Sequence, residues 1–279
     1  MKLYRTTNGF YAEYETKFYK IPTFIWDDLI NRDDLHTYLK NTILTLSPVL
    51  SIDESTIVAP VGTQEVWASG VTYYRSKIAR MEESKDAGGG TFYDKVYDAE
   101  RPELFFKSLA HKVVGHGGIV NIRPDSTWNV PEPEWTLYAT SSGKIVGYTI
   151  GNDMSSRSIE GENPLYLPQA KVYDGSAALG PCLYIPTEPM SVTTAIHIEI
   201  SRDNKLVFEG KTTLEQLKRN PDELIGWLYR SNTFASGAFL MTGTGLVPSN
   251  EFTLEIGDVV IISIDNIGQL KNAVGLAKA

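Results

Sequence analysis

Cysteine is almost absent. Cys182 is the single one in 279 residues, so no disulfide can close within the chain and a zinc site built on thiolates is excluded. Histidine is nearly as scarce, with four copies, and His111 and His116 miss the i, i+4 spacing with which a helix turns two imidazoles toward one metal. Positive charge is in deficit: the formal net charge is -8, which supplies no basic footprint for a phosphate backbone and argues against a nucleic-acid partner. No apolar run approaches membrane-spanning length, and the opening "MKLYRTTNGF" lacks the apolar stretch of a signal peptide. A cytoplasmic location is therefore expected. Phosphate cradles are missing too. Gly88 to Gly90 has neither the lysine nor the hydroxyl residue of a P-loop, and "GHGG" and "TGTG" lack the dinucleotide-binding spacing.

What is present is ordinary for a globular chain, with 42% hydrophobic and 22% charged residues. Strand-like runs dominate. "KLYRTT" and "GFYAEY" predict a hairpin turning at Asn8-Gly9, and "WDDLINRDDLHTYLKNTI" predicts one helix with Leu29, Leu35, Leu39 and Ile43 on its apolar stripe. A boundary near "VAPVGTQ" divides a small N-terminal α/β domain, residues 1–65, from a catalytic domain, residues 66–279. The polar stretch "ARMEESKDAGGGTFYDK" reads as a loop of the kind that covers sites. Further on, Asp203-Asn204 marks a second hairpin, and Asn220 followed by Pro221 and two acids caps a helix. No βαβ alternation supports a doubly wound sheet or a TIM barrel, so the fold class is α+β and strand-rich.

The segment that carries chemistry is "NVPEPEW". Pro131 and Pro133 make a helix improbable, and the residue before a proline is driven to extended backbone. In an extended chain, i and i+2 share a face, so Glu132 and Glu134 project together. Like charges so placed repel unless a cation lies between them or one keeps its proton; an isolated pair also suits a solvated edge strand. The next residues, "WTLYATSSGKIVGYTIGND", read as a hairpin turning at "SSGK". Pairing 140 with 145 puts 134 opposite 151 and 132 opposite 153, which adds Asp153 as a third carboxylate. Three convergent carboxylates with positions left open suit Mg²⁺, or Mn²⁺, better than Ca²⁺.

With "FFKSLAHKVVGHGG", "PEPEW", "GYTIGNDMSSRSIE", "QAKVYDGSAALGP", "TGTG" and "IGDVVIISIDNIGQLKNAV" in order from about Val66 to Val274, the chain resembles the fumarylacetoacetate hydrolase family. That resemblance implies a mixed β-roll and a Mg²⁺ or Mn²⁺ ion held by Glu132, Glu134 and Asp153. It also implies a lysine beside the metal, Lys171, and a substrate-side arginine, Arg157. Many hydrolases of the family carry glutamine where this chain has Glu160. The stretches "YDKVYDAERPELFFK", "VGHG" and "ENPLYLPQAKVY" resemble a dehydratase branch, in which Glu103 matches a glutamate implicated at the active site. A homodimer or homotetramer is implied as well.

The family's substrates offer a 2-keto acid, whose carboxylate and keto oxygens chelate a cation that then stabilises charge developing at the keto group. The expected reaction is dehydration of a 2-keto-3-deoxy sugar acid, foremost 2-keto-3-deoxy-D-arabinonate to 2,5-dioxopentanoate and water. Lys171 is expected as base or enolate stabiliser, Glu103 as proton donor to the leaving hydroxyl, and Thr244 as a ligand of the substrate carboxylate. His116 is an assistant at most, since a histidine between glycines is more often a turn residue. Arg157 reads equally as a structural ion-pair partner and Thr244 equally as a hairpin turn. Two other functions stay open: an acylpyruvate-type C–C hydrolase, for which Glu82 or Glu83 would help activate water, and a non-enzymatic keto-acid-binding module.

Overall fold

A computed structural model describes residues 1–73 and 95–278. The strands in chain order are β1 (Lys2–Thr6), β2 (Gly9–Tyr14), β3 (Lys17–Ile21), β4 (Glu65–Gly70), β5 (Glu103–Ser108), β6 (Ile119–Ile122), β7 (Asn129–Val130), β8 (Pro133–Ala139), β9 (Ile145–Asp153), β10 (Ser155–Ser156), β11 (Ala177–Tyr184), β12 (Ala195–Arg202), β13 (Lys205–Thr213), β14 (Ala238–Met241), β15 (Val259–Ile264) and β16 (Gly268–Leu276). Five α-helices are labelled α1 (Trp26–Ile30), α2 (Leu35–Ile43), α3 (Arg157–Glu162), α4 (Leu167–Lys171) and α5 (Pro221–Tyr229). A nine-stranded sheet runs β3-β2-β1-β11-β9-β8-β14-β4-β5, and a five-stranded one runs β13-β12-β15-β16-β6. Only β14 with β4 and β16 with β6 pair in parallel among these strands. The architecture is the strand-rich α+β arrangement expected.

The large sheet is apolar on both faces at its centre, which is why β8 is buried at every position. Tyr138, Leu179, Leu183, Phe239 and Met241 join the residues of α1 and α2 in one cluster. Their neighbours of opposite parity, Leu137, Ala178, Cys182, Ala238 and Leu240, join Ile196, Ile198, Ile200 and Val260 of the second sheet in another. Successive side chains point to opposite faces, so each strand feeds both clusters. The sheet runs through the boundary expected near residue 65: β1 pairs with β11, and Leu3, Phe10 and Trp26 pack with Leu179 and Phe239.

Two local expectations are corrected. The first hairpin pairs Thr6 with Gly9, so its turn is Thr7-Asn8, one residue earlier than expected. The long helix is broken into α1 and α2 because Asn31 and Asp33 bond elsewhere. Asn31 Oδ1 accepts the Ser141 N–H at 2.7 Å, and Asp33 accepts from the hydroxyls of Thr140 at 2.5 Å and Ser142 at 2.8 Å. Short polar side chains compete with helical backbone in this way. The Asp203-Asn204 turn stands as expected, both residues having positive φ between paired Arg202 and Lys205. So does the Asn220 cap, whose side chain accepts the Asp222 N–H at 2.8 Å. The glycine triplet Gly88 to Gly90, with Glu82 and Glu83, lies outside the described residues. Among those described, no helix is long and apolar enough to cross a membrane.

Candidate active site

The β8–β9 hairpin sets the site. Glu134 stands opposite Gly151, and just beyond the end of β8 Glu132 and Asp153 exchange both backbone hydrogen bonds, at 3.2 and 3.0 Å. This is the register expected at the carboxylates, reached by a different route at the turn. Ala139 faces Ile145 where 140 was expected to face 145, and a bulge between Tyr138 and Ala139 restores the alignment toward the site. An extra residue on one strand shifts the pairing by one, so the tighter turn and the bulge offset each other.

Glu132, Glu134 and Asp153 are buried and bring one oxygen each within 4.8 Å of the others. Burial pushes the Glu134 carboxyl well above its ordinary value, and the carboxylates of Asp153 and Glu132 push it the same way. Its Oε2 accepts the Gly243 N–H at 2.6 Å. Gly243 has a φ of +88°, a conformation that L side chains rarely adopt, which gives the "TGTG" turn a specific function at this carboxylate.

Three buried cations surround the acids. Lys171, at the end of α4, donates from Nζ to Glu132 at 2.8 Å, Asp153 at 3.1 Å and the Ser155 hydroxyl at 2.5 Å. Arg157, at the start of α3, donates from Nη2 to Glu132 Oε1 at 2.7 Å. Lys107 on β5 lies 2.5 Å from Asp153 Oδ1; burial lowers its pKa, and the neighbouring Asp153 opposes that shift. Glu160 is also buried, 3.4 Å from Lys171 and 3.6 Å from Arg157. A buried cluster of four acids and three bases keeps a carboxyl under strong pressure to protonate. A hard divalent cation would relieve that pressure through the oxygen donors it prefers, so the residues fit such an ion.

A cavity of about 20 Å³ adjoins the cluster, lined by Ser69, Gly70, Val71 and Phe105 together with Glu132, Glu134, Asp153, Arg157, Lys171, Gly243 and Thr244. Glu103 does not line the cavity; it packs against Gly70, which does, and a Cβ there would fall 1.9 Å from the Glu103 carboxylate oxygen. Thr244 reaches the cavity, but its hydroxyl also accepts the Leu246 N–H at 3.1 Å. His116 does not line the cavity: its Nδ1 lies 3.0 Å from the Gln269 carbonyl and 3.3 Å from the Lys271 N–H, tied to the backbone of β16. The role considered for it has no geometric support. Lys107 was missed, although strict alternation along "ELFFKS" would group it with Glu103 and Phe105; in the structure it is the extra residue of a bulge, with Trp67 opposite Phe106 and Val66 opposite Ser108.

Comparison with known proteins agrees with this fold. Residues 139–275 match the family model described as fumarylacetoacetate (FAA) hydrolase C-terminal. A protein of Haloferax volcanii, named a probable 2-keto-3-deoxyxylonate dehydratase, is 47% identical over 77% of this chain and 73% of its own. The 2-dehydro-3-deoxy-D-arabinonate dehydratase of Saccharolobus solfataricus is 42% identical over 78% of this chain and 74% of its own. A solved structure of 2-keto-3-deoxy-D-arabinonate dehydratase complexed with magnesium and 2,5-dioxopentanoate superposes with a TM-score of 0.85 at 34% identity, covering 100% of both chains. The chain belongs to the fumarylacetoacetate hydrolase family.

Proposed function

We propose that this chain is a Mg²⁺-dependent hydro-lyase of 2-keto-3-deoxy sugar acids, converting 2-keto-3-deoxy-D-arabinonate to 2,5-dioxopentanoate and water in pentose catabolism. The observation that carries this reading is the buried meeting of Glu132, Glu134 and Asp153 with Lys171 at a cavity wall, in a chain 42% identical to an arabinonate dehydratase. Mg²⁺, or Mn²⁺, held by those three carboxylates supplies Lewis-acid polarisation of the 2-keto group, which makes the C3 proton removable.

Lys171 is the base that takes the C3 proton, or the group that stabilises the enolate formed by its loss. Glu103 donates a proton to the departing C4 hydroxyl. Arg157 and Thr244 orient the substrate carboxylate. Loss of the C3 proton and the C4 hydroxyl leaves a C3=C4 double bond. Transfer of a proton from C5 to C3 moves the double bond to C4=C5, and ketonisation of that enol gives the C5 aldehyde, so one water leaves per turnover. The working form is a cytoplasmic homodimer or homotetramer, to which the exposed Phe24, Leu44 and Leu50 offer apolar contact area; light scattering measures its size.

The test is NMR of the Mg²⁺-loaded protein with 2-keto-3-deoxy-D-arabinonate in D₂O, beside a metal-stripped control. Metal-dependent 2,5-dioxopentanoate supports the reading. Deuterium at C3 without product keeps the proton chemistry and points to another sugar acid. Rapid release of pyruvate from acetylpyruvate, with no dehydration, replaces the reading with a C–C hydrolase, and tight binding without turnover replaces it with a binding module.

A further inference from the structure

Glu103 is the first residue of β5 and stands on the last rung of its ladder with β4, paired with Gly70. From Glu103 onward the sheet holds the chain, and the Ser69 hydroxyl donates to the Glu103 carbonyl at 3.0 Å. The approach to Glu103 is held by something else. Residues 95–98 are helical, and the last carbonyls of a helix find no partner within it. Arg219, just before α5, meets them. Its Nη2 donates to the Val96 carbonyl at 3.3 Å and the Ala99 carbonyl at 2.5 Å, and its Nη1 donates to the Glu100 carbonyl at 3.0 Å and to Glu223 Oε1 at 2.8 Å. The four hydrogens of the two terminal nitrogens thus meet four acceptors, on a side chain only 9% exposed. Lys218 adds bonds to the Tyr97 carbonyl at 2.6 Å and Asp98 Oδ1 at 2.7 Å, and Trp227 of α5 takes the Arg101 guanidinium on its ring face at 4.4 Å. Each residue from Val96 to Arg101 is therefore held from Lys218, Arg219 or Trp227. The holding run is itself fixed to the exit of β4, since the Lys218 N–H donates to the Thr72 carbonyl at 3.0 Å, two residues past the cavity-lining Gly70.

We infer that Arg219 is a positioning residue for the Glu103 carboxyl, setting the path by which the chain enters β5. The inference rests on the reading of Glu103 as proton donor to the departing C4 hydroxyl. A proton donor works only within hydrogen-bond reach of the oxygen it serves, and a misplacement of about 1 Å can cost about a hundredfold in rate. Glu100 and Glu103 are three positions apart, roughly 10 Å of extended chain, and the buried Pro102 between them has its φ fixed by its ring. A shift at Glu100 is carried to Glu103 with little loss. Lysine cannot take over this work, because an ammonium has three hydrogens and no planar fork to span carbonyls on both sides. Lys171, Glu132, Glu134 and Asp153 sit on or beside α4, β8 and β9, which Arg219 does not touch. Loosening Arg219 therefore impairs departure of the C4 hydroxyl and spares removal of the C3 proton.

The test is NMR of Mg²⁺-loaded wild type, Arg219→Lys, Glu103→Gln and the double variant with 2-keto-3-deoxy-D-arabinonate in D₂O, reading the ratio of C3-deuterated substrate to 2,5-dioxopentanoate. Glu103→Gln is expected to raise that ratio by roughly 10²–10⁴-fold, the range for a lost general acid. Arg219→Lys is expected to raise it roughly tenfold or more, and by less than about twofold once Glu103 is already glutamine, because the two act through one carboxyl. An Arg219→Lys ratio equal to wild type, a parallel fall of exchange and dehydration, or the same rise with and without Glu103 overturns the inference while leaving Glu103 as the acid. A wild-type ratio in Glu103→Gln removes Glu103 from that role and the inference with it, and a wild type that forms no product overturns the functional reading as well. Should Arg219→Lys fail to fold, Glu223→Ala, which unties the guanidinium at a surface carboxylate, is read the same way: a raised ratio supports the inference and an unmoved one overturns it.

Discussion

Replacing Glu134 by glutamine separates the cost of holding the acid cluster together from its use. The amide keeps an oxygen for the Gly243 N–H and removes a charge that the fold disfavours. In the metal-free protein, burial and the neighbouring Asp153 and Glu132 raise the Glu134 carboxyl above its ordinary 4.5. Its folded form therefore binds a proton that the unfolded chain releases. The sign follows: this carboxyl's stabilising contribution is complete below about pH 4.5 and is lost as pH rises through the raised folded value. The amide of Glu134→Gln would mimic the protonated acid, so metal-free stability at a pH where the folded carboxyl keeps its proton should change by no more than roughly 1 kcal/mol, the size of one net hydrogen bond. Saturating metal acts differently. At a hundred times its Kd, a ligand stabilises by about 2.7 kcal/mol, which for a chain of this size raises Tm by roughly 5–10 °C. Thermal unfolding with and without Mg²⁺ should show that rise in the wild type and its disappearance in Glu134→Gln. A variant that loses more than about 3 kcal/mol without metal, the range for breaking a buried ion pair, would show that Glu134 was ionised and paired, and the reasoning would fail. A retained Mg²⁺ shift would remove Glu134 from the ligand set.

Lys171→Met should abolish solvent exchange at C3 of the substrate and lower kcat by roughly 10²–10⁴-fold, the range for a lost general base; normal exchange would take Lys171 out of that role. Cys182 is fully enclosed, and burial pushes its thiol up to about 12, so a disulfide reagent at pH 8 should leave the native protein unmodified and label it once per chain after unfolding. Fast native labelling would contradict the packing of β11. Residues 1–65 are proposed to be a unit in sequence that depends on the rest for folding. A chain of residues 66–279 alone would bare Leu179, Leu183 and Phe239 and should aggregate or bind a hydrophobic dye. Cooperative unfolding of that fragment would establish residue 65 as a true domain boundary.

The meeting of Glu132, Glu134 and Asp153 was legible because local rules chained together. Prolines forced extension at Glu132, extension put Glu134 beside it, and a hairpin brought Asp153 back. The turn rule itself was off by one residue, and only the bulge beside Ala139 kept the answer right. Lys107 stayed hidden because a lysine after two phenylalanines also suits an edge strand, and its partners Asp153, Met154 and Lys171 lie 46 to 64 positions away in the chain. The break between α1 and α2 was hidden for the same reason: Asn31 and Asp33 answer to the loop at Thr140 to Ser142, more than a hundred residues downstream. Periodicity reports which face a residue takes. It is silent about what waits opposite.

That clamp on the β8–β9 loop makes the hairpin a ruler with its zero at the wrong end. The tip is pinned to Asn31 and Asp33, and Glu134 is read off about seven strand residues away, roughly 20–24 Å at strand rise. A point change at Ser141 or Ser142 leaves the scale intact. Adding or deleting one residue there would slide the scale, turning Glu134 toward the opposite face or forcing the bulge to move. The loop therefore invites insertion by its exposure and forbids it by its arithmetic, and a length scan across Ser141–Gly143 should silence a site it never touches.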